Sequence, residues 1–236
     1  FFNIFDAPPI LLGILTIVGC ISIVAAGLLS ILQWDLKRLL AYSSISQIGY
    51  ILLGLGLGTP LAILGAVFHL FNHAVFKSLL FYNAGSIELS MGTRNLKNMG
   101  RLSEKLPVTS GTSMIASLAI SGIPPFNGFF SKLVIIVAAV AAGRFWLSGL
   151  AIVGSILTLA ALLKFQQYSQ RRSIEVESTG ETTGFGMNVA MLILALLCIA
   201  GGCLLIPGIK EITLDPVVDV IFGKLQYIQL VLGRSL

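Results

Sequence analysis

The sequence predicts an all-α membrane protein of six transmembrane helices, one of them broken at a Pro-Pro pair. Three observations lead there. Hydrophobic residues make up 56% of the 236 residues and charged residues only 11%, whereas a soluble domain carries about 25% charged residues. Apolar runs of about 20 residues, each able to cross a hydrocarbon core of roughly 30 Å, recur along the chain. The 25 glycines and 8 prolines suit membrane helices, where both are commoner than in soluble ones.

The first span runs from about Ile10 to Leu32 and ends at the charged link Asp35-Leu36-Lys37-Arg38; the second runs from Leu39 to about Leu57. Gly58-Thr59-Pro60 reads as a tight turn, because glycine accepts positive φ and proline starts a helix well. The third span covers Leu61 to Ala84, and the polar stretch from Glu88 to Pro107 is expected to be a surface loop. The fourth apolar stretch, Val108 to Ala142, is too long for one straight span and is interrupted by Ile123-Pro124-Pro125-Phe126-Asn127-Gly128. The fifth spans roughly Trp146 to Phe165, a polar loop is expected from Gln166 to Gly186, and the sixth runs from Met187 to Ile206, closed by Pro207-Gly208. These spans form one membrane domain over residues 1–208. Residues 209–236 mix apolar positions with Asp219, Lys224 and Arg234, and are expected to add an interfacial amphipathic helix or a seventh span.

Loop charges set the orientation. One side collects Lys37, Arg38, Arg94, Lys97, Arg101, Lys105, Arg171 and Arg172; the other has Arg144 and Lys210, with Lys224 and Arg234 in the tail. By the positive-inside rule the first side is cytoplasmic and the N-terminus of the chain lies outside, with a prokaryotic cell membrane as the expected location. The net charge of +5 comes from these loops, and no basic patch interleaved with exposed aromatics marks a nucleic-acid partner. Cys20, Cys198 and Cys203 lie in apolar segments without metal-ligand spacing, so they read as small core residues. The chain opens Phe1-Phe2-Asn3 with no basic n-region, so its first apolar run does not read as a signal peptide, and the chain is expected to be the end of something longer.

The third span carries His69, His73 and Lys77 at four-residue spacing, with Asn72 beside them. At about 100° per residue these three drift only about 40° per step and share one helix face over roughly 12 Å. A lone polar residue in a membrane helix is commonly an interhelical hydrogen bond. Three titratable groups in a file point instead to ion movement, because ionisable groups are costly in lipid and normally face a bundle interior or a wet cavity. Histidine donates at one ring nitrogen, accepts at the other and, with an ordinary pKa of about 6.5, passes a proton near neutral pH.

The broken fourth span supplies a second element. Pro124 and Pro125 remove two backbone donors and Gly128 lets the chain bend, so the helix should open near mid-membrane. Opened backbone at that depth persists only when buried in protein or lining a cavity. Lys132 follows the break by a short turn and is expected in a buried, hydrated position, because about ten apolar residues separate it from the next loop. The second span offers Ser46 and Gln47 in the polar run Tyr42 to Gln47, which either extends the polar path or packs helices together. Lys164 reads as an interfacial anchor or the end of the pathway. No Asp or Glu lies in the middle of any span, so the counter-charge for these lysines is expected from elsewhere.

Three stretches together resemble one family: Asp35-Leu36-Lys37-Arg38-Leu39-Leu40-Ala41-Tyr42-Ser43-Ser44-Ile45-Ser46-Gln47-Ile48-Gly49-Tyr50, His69 through Lys77, and Gly122-Ile123-Pro124-Pro125 through Lys132. They are similar to the antiporter-like membrane subunits of respiratory complex I, the Mrp cation/proton antiporters and the related membrane-bound hydrogenases. The resemblance covers the region from Ile10 to Ile206. It implies the second of two inverted five-helix repeats plus the following helix, with His69, His73 and Lys77 on a hydrated central axis and Lys132 as the terminal residue of the proton path. It also implies that the first repeat, with its glutamate, comes from a missing segment or a partner chain.

The resemblance supports half of a proton-translocating subunit in a redox-driven membrane complex. Other membrane subunits, peripheral redox subunits and lipid are then its expected partners, and iron-sulfur clusters belong to partner subunits, since this chain shows no cofactor motif. A subunit of a Mrp-type sodium/proton antiporter is the second possibility and a non-conducting membrane scaffold the third.

Overall fold

The structure, a computed structural model, describes residues 8–170 and 183–216, and these are helical apart from their connecting turns. Helix α1 (Pro9–Leu32) starts with proline at the position where a missing N–H costs least, and carries a π-helical turn at Ser22–Ala26. Helix α2 (Leu36–Leu57) is capped by Asp35, which accepts from the Arg38 N–H at 3.0 Å. The expected tight turn is present: Gly58 (φ 68°) ends α2, and Thr59 caps α3 (Pro60–Met91). A short helix α4 (Leu102–Lys105) precedes α5 (Pro107–Ser121), α6 (Asn127–Ala141) and α7 (Phe145–Gln170). Helix α8 (Phe185–Ala200) runs into a 3₁₀ turn, Gly201–Leu205, and is followed by α9 (Ile209–Thr213).

Among the described residues, five segments are long and apolar enough to cross a membrane: α1, α2, α3, α7 and Phe185–Leu205. Helices α5 and α6 have 15 residues each, fewer than the roughly 20 a span needs, and together make the sixth, broken span. Among the described residues the expected six-span, all-α architecture is therefore present. Helix α3 is its axis. In its most apolar window 67% of residues are buried, against 28% in α1 and 22% in Phe185–Leu205, and it packs on α2, α5, α6 and α8. The outer helices keep rows such as Ile10, Ile14, Ile17 and Ile21 exposed, as an apolar solvent permits. Helices α1 and α2 touch backbone to backbone, since a Cβ on Gly49 would lie 2.7 Å from the Gly19 carbonyl oxygen.

The basic loops gather at one end. Leu36 N–H donates to Arg94 O (2.8 Å) and Leu96 N–H to Trp34 O (2.9 Å), tying the α1–α2 link to the segment after α3. Lys37 pairs with Glu88 at 2.5 Å, and Arg94 lies 3.5 Å from Glu88 and 3.6 Å from Asp35. Arg171, Arg172, Lys224 and Arg234 lie outside the described residues.

Two boundaries differ from expectation. Helix α3 continues through Met91 because Ile87 and Met91 are buried against the core, so Glu88 stands on a helix and not in a loop. Helix α7 continues to Gln170 because Gln166 and Gln170 find partners on α5: Gln166 donates to Ser117 Oγ at 2.8 Å, and Ser110 donates to Gln170 Oε1 at 2.6 Å. The expected interfacial helix or seventh span lies, beyond residue 216, outside the described residues.

Candidate functional site

The row on α3 is buried as the four-residue spacing requires. His69 is wholly inaccessible, Lys77 is 5% exposed and His73 is half-buried. Lys77 Nζ donates to Leu40 O (2.8 Å) and to Ser43 Oγ (2.6 Å), both on α2. His73 and Lys77 border a groove of about 550 Å³ that Phe81, Tyr82 and Met187 also line. His73 Nε2 is buried without a protein partner.

His69 Nδ1 meets Ser131 Oγ at 2.9 Å. Ser131 Oγ also reaches Gly128 O at 3.2 Å, and when its hydroxyl donates there it accepts from His69 in the tautomer protonated at Nδ1. In that tautomer Nε2, which is buried and unpartnered, is the free acceptor of the ring. Beside it Asn72 and Asn127 form a reciprocal pair: Asn127 Nδ2 donates to Asn72 Oδ1 (3.0 Å), and Asn72 Nδ2 donates to Asn127 O (3.1 Å). This pair fastens the start of α6 to α3, directly after the helix break.

The break itself holds Lys132, which is 3% exposed. In an unbroken helix Ile120 O would accept from the N–H of residue 124, but that residue is Pro124 and has none. Lys132 Nζ takes that place, donating to Ile120 O at 2.8 Å. Gly128 allows the approach, because a Cβ there would overlap the carbonyl oxygen of Ala119. Lys132 Nζ also lies 4.6 Å from the centroid of the Tyr50 ring, and a cavity of about 220 Å³ opens beside it, lined in part by Ser121, Ile123 and Ser155.

Most of the expected site residues converge. His69 and Lys132 are joined through the adjacent Ser131, and Asn72 holds the break. Ser46 and Gln47 are buried and bond to neighbouring helices: Ser46 Oγ donates to Ile23 O in the π-turn (3.0 Å), and Gln47 Nε2 donates to Thr158 Oγ1 (3.2 Å), with Gln47 Oε1 left unpartnered. Lys164 is not part of the row. Its Nζ donates to Ile31 O (2.7 Å) and Gln33 O (2.6 Å) and sits 3.9 Å from the Trp34 ring, closing the end of α1. Ser43 and Asn127 fall within stretches that the sequence marks, the polar run of α2 and the helix break, whereas Ser131 and Tyr50 carry no such mark. Ser131 and Asn127 adjoin residues that were singled out, and Tyr50 lies one turn after Gln47 on α2.

No Asp or Glu is buried among the described residues, and no cluster of ligating side chains suited to a metal ion occurs there. The site is a file of basic and hydroxyl groups around opened backbone. Such a file can pass protons between imidazole nitrogens, lysine amines and intervening water.

Residues 1–158 match the family described as NADH:quinone oxidoreductase/Mrp antiporter, TM. NADH-quinone oxidoreductase subunit L of Rickettsia typhi is 42% identical over 142 residues, covering 60% of this chain and 21% of that protein. F(420)H(2) dehydrogenase subunit L of Methanosarcina mazei is 36% identical over 223 residues, covering 89% of this chain and 33% of that protein. The chain thus spans about a fifth to a third of the length of these relatives. Among solved structures, the Mrp complex from Dietzia sp. DQ12-45-1b contains a chain that superposes with a TM-score of 0.88 at 25% identity, covering 98% of this chain and 51% of that one.

Proposed function

This chain belongs to the NADH:quinone oxidoreductase/Mrp antiporter transmembrane family, and on that premise we propose that it is half of a proton-translocating subunit in a redox-driven membrane complex. The observation that carries the reading is Lys132 bound to the Ile120 carbonyl that Pro124 leaves without a backbone donor, at the end of the row His69, His73 and Lys77. Protons move along α3, from Lys77 through His73 to His69 Nε2, and reach Lys132 across the Ser131 step with water between the groups. Lys132 is the last residue of the path and exchanges with the face opposite the basic loops.

Neighbouring membrane subunits accompany the chain in such a complex, and one chain or segment brings the first repeat and its glutamate. Peripheral redox subunits hold the iron-sulfur clusters and perform the electron transfer. The basic end faces the cytoplasm of a prokaryotic cell, and the N-terminus of the chain faces outward. The superposition with a chain of the Mrp complex favours a second reading, a Mrp-type sodium/proton antiporter subunit.

The test is proton pumping by the intact complex in sealed vesicles. Lys132→Ala and Lys77→Ala should each abolish electron-driven pumping while the complex assembles, and full pumping by either variant overturns the relay. Sodium-dependent transport without an electron donor selects the antiporter reading.

A further inference from the structure

The aromatic ring beneath Lys132 has no place in the relay so far. Tyr50 is wholly buried on α2, and its ring lies between two members of the site: the His69 ring is 5.6 Å away centroid to centroid, and Lys132 Nζ stands 4.6 Å from its centroid. That distance is well inside the roughly 6 Å at which a ring face attracts a cation. The hydroxyl is fully engaged elsewhere, donating to Ala151 O at 2.6 Å with Ser155 Oγ at 3.0 Å. These bonds to α7 pin the far edge of the ring, and a Cβ on Gly154 would already lie 2.7 Å from the same hydroxyl. The ring is therefore a fixed plate rather than a mobile side chain.

Lys132 has two neutral partners, the Ile120 carbonyl and this ring face, and among the described residues no carboxylate is buried near either. The Ile120 carbonyl accepts from an amine or, more strongly, from an ammonium, and the quadrupole of the ring face adds an attraction that depends on the charge itself. The ring is thus a second partner that favours the charged form of Lys132.

Resting on the transport reading above, we propose that Tyr50 is a positioning residue of the relay: its ring face receives the ammonium form of Lys132 at the end of the row, and its hydroxyl takes no part in proton passage. The hydroxyl serves only to hold the plate in place.

The experiment uses the intact complex in proteoliposomes with four kinds of variant at two positions. Tyr50→Phe should keep most of the pumping rate and Tyr50→Leu should lose it. A series with Phe, 4-fluoro-, 3,5-difluoro- and 3,4,5-trifluorophenylalanine at position 50 changes ring volume little but weakens the negative face step by step. Pumping should fall in that order, by roughly tenfold across the series, on the scale a desolvated cation–π contact supplies. A flat fluorine series, or equal losses in Tyr50→Phe and Tyr50→Leu, overturns the role of the ring face. Lys132→Ala separates the two levels: if it pumps normally the relay reading itself has failed, and if it is inactive beside a flat fluorine series only the present inference has.

Discussion

Replacing Gly128 by alanine tests the helix break with one methyl group. The added Cβ would overlap the Ala119 carbonyl oxygen and lie 2.9 Å from its carbon. The start of α6 must then move off the end of α5 by on the order of 1 Å, and a misplacement of that size at a reacting group can cost about 10²-fold in rate. The bond at risk is next door. Ile120 follows Ala119, Lys132 is one turn after Gly128, and the two meet at 2.8 Å. A hydrogen bond to a charged group contributes about 1.5–3 kcal/mol, so its loss slows pumping roughly 10- to 100-fold. Overpacking strain of about 1–3 kcal/mol should also lower the melting temperature of the solubilised complex. The assay is dye-reported acidification of proteoliposomes, normalised to assembled complex. Gly149→Ala is the control: nothing lies within 4 Å of its Cβ position on α7, so it should pump normally and melt no lower than the parent. Parental pumping by Gly128→Ala would refute the argument that close α5–α6 contact sets the position of Lys132.

Ser131→Ala removes the acceptor that fixes the His69 ring and leaves Nδ1–H buried without a partner; we expect pumping slowed roughly tenfold, from a cost of about 1–3 kcal/mol, read in the same vesicle assay. Lys164→Met should do the reverse of the relay variants, lowering the melting temperature through the freed carbonyls of Ile31 and Gln33 while leaving pumping per assembled complex unchanged. Loss of pumping in Lys164→Met without loss of stability would return that lysine to the pathway.

What the sequence makes legible follows from the solvent. In lipid every backbone group is satisfied within its own segment, so apolar length alone locates the spans, and four-residue spacing alone places His69, His73 and Lys77 on one face. The partner of Lys132 is not legible, since Pro124 and Pro125 free the carbonyls of both Ile120 and Ser121 and only the fold brings Lys132 to the first. Nor are the ends of α3 and α7. Glu88 and Gln166 look like loop residues, yet Glu88 is held by the distant Lys37 as well as by Arg94, and Gln166 by serines of α5 that are 53 and 49 residues away. The π-turn at Ser22–Ala26 carries no mark in its apolar sequence, and Tyr50 gains its meaning only when α6 brings Lys132 over it.

The partners of the two buried lysines lead to a last step. Lys77 is held by Leu40 O and Ser43 Oγ, and Lys132 by Ile120 O, all of them neutral dipoles. A carboxylate in either place would fix a proton on its lysine, since an ion pair strongly prefers both charges present. Neutral dipoles hold the amine in position under either protonation state. They favour the charged form far less than a carboxylate would, so the balance between those states responds to charges outside this chain, and such fields act at long range because the interior screens them weakly. A site built from positive groups, hydroxyls and freed carbonyls is therefore one whose protonation a distant charge can tip.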